Sequence, residues 1–149
     1  MNKNQLFSYT IMLIGLTMII LGVRWLIVDE PWMLDEVANV ERLEMTFEEL
    51  FTPEINSTLP GYLKQIYRFF GFWVVVIGFF IMCFSTPLVI NDLHIRNRLL
   101  FCLGIMMGMG TVLGYMLIPN SHFIYLIWIM NILYIFSIFN HLGINDETK

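Results

Sequence analysis

Long apolar runs alternate with short polar interruptions along this chain, and the run lengths predict its architecture. From Gln5 to Val23 no residue is charged, and the apolar character continues past Arg24 to Val28. At about 1.5 Å of rise per residue, such a run crosses a hydrocarbon core of about 30 Å with a little tilt. A second run begins at Phe69 and stays uncharged until Asp92. From Leu99 to Asn145 there is then no Asp, Glu, Lys or Arg in 47 residues. That is twice what one span needs, and Pro119-Asn120-Ser121 divides it with turn and helix-cap chemistry. The pattern predicts an all-α fold, a four-transmembrane-helix bundle forming a single integral membrane domain over 1–149, with spans at about 5–28, 68–90, 99–118 and 122–141. No small-residue cleavage pattern precedes Asp29, so the first run is expected to be a retained span rather than a signal peptide.

Residues 29–66 form the one long polar segment, divided by Pro31, Pro53 and Pro60. Leu43, Phe47, Leu50 and Phe51 recur at helical spacing opposite Glu41, Glu44, Glu48 and Glu49, and Thr46 and Glu49 have capping-box spacing. One or two short amphipathic helices are expected here, in a long acidic, partly helical segment between helices 1 and 2. Asn56-Ser57-Thr58 also matches a glycosylation sequon, which has meaning only in a eukaryotic secretory pathway.

Composition agrees with a membrane protein: 58% of residues are hydrophobic, 13% are charged and the mean hydropathy is +0.72, outside the balance of a soluble domain. Nine of the twelve acids lie in the 29–66 segment. No basic run suggests nucleic acid. Cys83 and Cys102 sit in apolar stretches with no CxxC pair, which indicates neither a disulfide framework nor a zinc site. Lys and Arg divide evenly between the two sides, but Arg96 and Arg98 fall in a short connection, where the positive-inside rule is strongest. Both termini are therefore expected in the cytoplasm, with the acidic segment outside.

Small residues predict how the spans pair. Ser8, Gly15 and Gly22 follow one another at steps of seven, as do Gly71, Gly78 and Ser85. Run antiparallel, Gly22 falls level with Gly71, Gly15 with Gly78 and Ser8 with Ser85. This is the seam of a left-handed helix pair in which small residues let two backbones approach. Gly104, Gly108, Gly110 and Gly114 give the third span two small-xxx-small spacings. Met106, Met107, Met109 and Met116 form no single ligand face for Cu(I) and read as packing.

Intramembrane charges are the default clue to function, and the middle of every span lacks them. This argues against a pump or proton-coupled transporter, and no acid–base pair or activated nucleophile is visible. Arg24 and Arg68, with Trp25 and Tyr67 beside them, form a candidate site for an anion or lipid headgroup at the outer end; Tyr62 and Trp73 would complete its wall. Planar Arg forks suit such ligands. The plainer alternative is that Asp29, Glu30 or Asp35 pairs with the two arginines. Asn131, which shares a helix face with Tyr134 and His141, is expected to hydrogen-bond to another helix. His94, His122 and His141 divide between the two sides, so no metal site or cofactor is indicated.

GVRWL at Gly22 to Leu26, YRFFG at Tyr67 to Gly71 and the Gly-rich third span resemble the DoxX-like group of small bacterial four-helix membrane proteins, many of unknown function. The resemblance implies a bacterial inner-membrane location and permits a link to quinone-based redox chemistry. The longer, more acidic outer segment departs from that group. Claudins share four spans and a large first outer loop, but this loop has neither cysteine of their pattern. The leading expectation is a non-enzymatic scaffold or accessory subunit that presents residues 29–66 to a protein partner. The alternatives are a protein binding lipid, quinone or another hydrophobic ligand, and a subunit of a membrane redox complex. Membrane lipids are expected neighbours, and a homo-oligomer is compatible with the pattern.

Overall fold

The computed structural model describes residues 2–147 and is helical throughout, with no strand among the described residues. Four helices are long and apolar enough to cross a membrane: α1 (Lys3–Ile27), α4 (Leu59–Phe84), α6 (Leu93–Leu117) and α7 (Phe123–Glu147). Between α1 and α4 lie a 3-10 turn at Pro31–Asp35, two short helices, α2 (Glu36–Leu43) and α3 (Phe47–Phe51), and a second 3-10 turn at Glu54–Asn56. The four-residue α5 (Pro87–Ile90) separates α4 from α6.

Local chemistry moves several helix ends away from the positions that hydropathy predicts. The second span, expected over about 68–90, is helical from Leu59, because Pro60 occupies the first turn, where its missing N–H is harmless. It stops at Phe84, ahead of Pro87. The third begins at Leu93 because the Asp92 side chain accepts the His94 and Ile95 amides at 2.7 and 3.3 Å. The supposed basic connection is thus largely the first turns of α6, and Arg96 is buried at 4% exposure. Thr46 and Glu49 form the capping box that starts α3. Ser121 lies in the turn before α7, where its hydroxyl accepts the Phe123 amide at 3.0 Å.

α1 is central: it packs along α4 on one side and α7 on the other, and α7 packs on α6. α4 and α6 scarcely touch, so the bundle does not close on itself. Gly15 faces Gly78 and Gly22 faces Gly71. A methyl group added at Gly22 would lie 2.6 Å from the Gly71 carbonyl oxygen, and one at Gly78 would lie 2.7 Å from that of Gly15. The buried Ser8 hydroxyl donates to the Ser85 carbonyl. The solid core lies toward the end that carries both termini, where Phe7, Ile11, Ile14, Ile90, Leu103 and Ile144 are buried. The opposite half encloses a cavity, and a groove between α4 and α6 opens beside the core.

Candidate functional site

The cap, residues 29–58, is held over the bundle by its own aromatic core and by hydrogen bonds. Trp32 and Phe47 are buried and pack with Phe51, at ring-centroid separations of 5.4 to 6.1 Å. Ser121 donates to Asp35 Oδ2 at 2.6 Å, and Asn120 reaches both Glu41 carboxylate oxygens at 2.7 and 2.8 Å. These bonds fasten α2 and the turn before it to the α6–α7 turn. On the other side, Lys64 of α4 pairs with Asp29 at 2.9 Å.

Beneath the cap lies a cavity of about 420 Å³ to which all four long helices contribute. Its walls are almost entirely apolar and include Met18, Val74, Met107, Leu126 and Met130. Trp25 packs against both Phe70 and Phe123, with centroids 4.9 and 5.3 Å apart, and forms an aromatic wall just below the cap. Polar groups gather at the roof. Asn39 Nδ2 donates to the Trp32 carbonyl at 2.7 Å and to the Tyr67 hydroxyl oxygen at 3.2 Å. Asp35 lines the same space, and its Oδ1 is buried without a hydrogen-bond partner among the described residues. A shaped apolar cavity with a few convergent polar groups is the usual form of a small-molecule site.

A second hollow, about 430 Å³, opens between α4 and α6 where those helices fail to meet. Ile77, Phe80, Phe84, Leu99 and Cys102 line it, exposed Arg98 stands at its edge, and Met106 belongs to both hollows. The cavity therefore adjoins a side opening of the bundle.

The structure divides the four residues expected to form one outer site. Trp25 and Tyr67 line the cavity, whereas Arg24 and Arg68 are exposed and take no part in it. Tyr62 and Trp73 are exposed too. Of the acids considered as arginine partners, Asp29 pairs with Lys64 and Asp35 bonds Ser121. The Lys64 ammonium, by hydrogen bond and charge, holds the Asp29 carboxyl below the usual carboxylate range, and Arg68 adds a smaller effect. Asn131 donates across to the Thr111 hydroxyl at 2.9 Å. Tyr134 donates to the Leu100 carbonyl at 3.0 Å, in space left by Gly104. Phe7 stacks at a tilt on His141, 6.2 Å away, in the end opposite the cap. No group of three His, Cys, Asp or Glu side chains able to hold a metal occurs among the described residues.

Sequence reasoning missed Asn39 and placed Asp35 only as a possible arginine partner, because both read as polar positions in an acidic loop. Their one signal is the run Pro31-Trp32, whose buried rings anchor the start of this segment on the bundle. No protein-family model matches the chain, and no curated protein or solved structure is significantly similar to it. The likeness to the DoxX-like group therefore rests on the quoted residues alone.

Proposed function

We propose that this is an integral membrane protein that binds a hydrophobic ligand in the cavity beneath its acidic cap. The observation that carries this reading is the open α4–α6 side of the bundle, which adjoins a cavity walled by all four long helices. A molecule dissolved in lipid would enter sideways, without crossing water. The exposed outer faces of the helices, with Phe69, Phe101 and Phe139 each about two-thirds exposed, suit a lipid surround. The cap acts as a roof: its bonds from Asp35, Glu41 and Asp29 tie it down over the cavity. Both termini are assigned to the cytoplasm and the cap to the outside, on the strength of Arg96 and Arg98 in the first turns of α6, at the end that carries the termini.

The scaffold reading keeps one supporting observation, the exposed acids Glu30, Glu36, Glu44, Glu48 and Glu54, which bond to nothing on the bundle among the described residues. Purification from native membrane in mild detergent, followed by native mass spectrometry, separates the two readings. Cavity binding predicts one retained small molecule per chain, absent from Gly110→Leu, because Gly110 lines the cavity and an added side chain there meets open space. A retained stoichiometric protein, with no small molecule and no effect of Gly110→Leu, would replace ligand binding by the scaffold.

A further inference from the structure

We infer that the ligand is an amphiphilic amine: one apolar chain or ring system with a protonated, N–H-bearing nitrogen at one end, seated against Asp35. This rests on the cavity-binding reading and adds the chemistry of the head. Three observations point to it. First, Asp35 Oδ1 is a buried acceptor with no partner among the described residues, although its sister atom Oδ2 accepts from Ser121 at 2.6 Å. An unpaired buried carboxylate oxygen is costly, and a charge-assisted N–H donor relieves that cost better than any neutral group. Second, no Lys or Arg lines the cavity among the described residues, so the protein supplies no cation of its own there. Third, the rings nearest the roof are Trp25, Tyr67, Phe70 and Phe123. Aromatic faces attract a cation through their quadrupole, and this pull grows when water is excluded.

The same features disfavour other heads. A fatty acid would bring a second anion to Asp35, and like charges in a low-dielectric site repel strongly. A phosphate-headed lipid without an amine meets the same objection. A quinone offers only acceptors and leaves Oδ1 unsatisfied. A plain alcohol can donate to Oδ1 but gains nothing from the rings. A quaternary ammonium ion gains from the rings and the charge but has no N–H to give. The apolar remainder of the molecule lies among Met18, Val74, Met107 and Met130, and the unbranched methionine side chains adapt to its outline.

The test uses the full-length, delipidated protein in a nonionic detergent at pH 7 and an equimolar mixture of dodecylamine, dodecanol, dodecanoate and dodecyltrimethylammonium. Native mass spectrometry reads which one stays bound. Dodecylamine is expected to exceed dodecanol and the quaternary ion by about tenfold or more, the value of one charge-assisted hydrogen bond, with dodecanoate lowest. Asp35→Asn removes the charge while keeping an acceptor for Ser121, and should bring the amine level with the alcohol. Ser121→Ala removes the hydrogen bond to Oδ2 but keeps the carboxylate and its charge, and should keep the amine preference; a loss there equal to that of Asp35→Asn overturns the assignment to the Asp35 charge. Equal retention of amine and alcohol by the native chain overturns the amine head while leaving cavity binding in place. Equal retention of the quaternary ion overturns the role given to Oδ1. If none of the four is held, cavity binding itself fails.

Discussion

α4 meets α1 and α6 in opposite ways. Against α1 it presents Gly71 and Gly78, and each finds a glycine at its own level, so that the backbone of one helix touches the carbonyls of the other. Against α6 it presents Ile77, Phe80, Ile81 and Phe84 to Ile95, Leu99, Cys102 and Leu103, and the two helices stand apart around a groove. α6 is itself rich in glycine, yet side chains added at Gly108 or Gly110 would meet nothing within 4 Å. A glycine closes a helix pair only when the opposite helix is also small at that level; alone, it makes room. The closed seam gives the fold its rigidity, and the open side gives it a cavity.

The sharpest way to break this comparison is Gly78→Leu. Its side chain would collide with the Gly15 carbonyl and Ile19, both part of a packed helix that cannot yield locally. A loss of about 3 kcal/mol is expected, the upper range for overpacking, read as thermal unfolding in detergent. Gly108→Leu, the same change in open space, should cost nothing and gain up to about 1 kcal/mol from replacing a poor helix former. Equal losses at the two positions would show that glycine content, and not facing glycines, sets the packing. Gly110→Leu sharpens the comparison from the other side. It fills cavity space and replaces a poor helix former, so it should raise stability by up to about 1 kcal/mol while evicting the ligand. Tyr134→Phe tests Gly104, one of two α6 glycines, with Gly114, that admit a neighbour, and loss of the bond to the Leu100 carbonyl should cost about 1 kcal/mol.

Four long helices, their order and the Pro119–Ser121 turn were legible because run length and turn chemistry are local properties. The small-residue steps were legible too, since a step of seven is written along each helix. What a linear pattern does not carry is which faces fail to meet. The α4–α6 groove arises from bulky residues on two helices that are adjacent in chain order yet packed separately, on α1 and on α7. Arg24 and Arg68 stand out in the sequence as charges near apolar runs, but the structure leaves both exposed. The buried arginine is instead Arg96, hidden from sequence reasoning because Asp92 extends α6 across what reads as a loop. Asp35 was legible as an acid. It lies in the same 3-10 turn as the buried Trp32, just beyond α1, and periodicity does not register such a turn.

The smallest expected effect concerns pH, and it separates cap from seam. Asp29 is held below its ordinary value of 3.8 by its hydrogen bond to Lys64 and then by that ammonium's charge. Glu49 is held below 4.5 by the Thr46 backbone amide and then the Thr46 hydroxyl. For both, the folded cap binds a proton less readily than the unfolded segment. Their contribution is therefore complete above the ordinary values and disappears as pH falls through the depressed ones. Both groups are solvent-exposed, so screening keeps the effect small. The seam residues Ser8, Gly15, Gly22, Gly71, Gly78 and Ser85 carry nothing that titrates. Hydrogen exchange should thus show α3 amides opening faster below about pH 4 while α1 and α4 amides hold their protection. Lys64→Gln should remove the Asp29 part of that response and leave the Glu49 part at α3 in place. Simultaneous loosening of cap and seam in the native chain would mean that the two are one cooperative unit, and that the roof cannot lift without opening the helix pair beneath it.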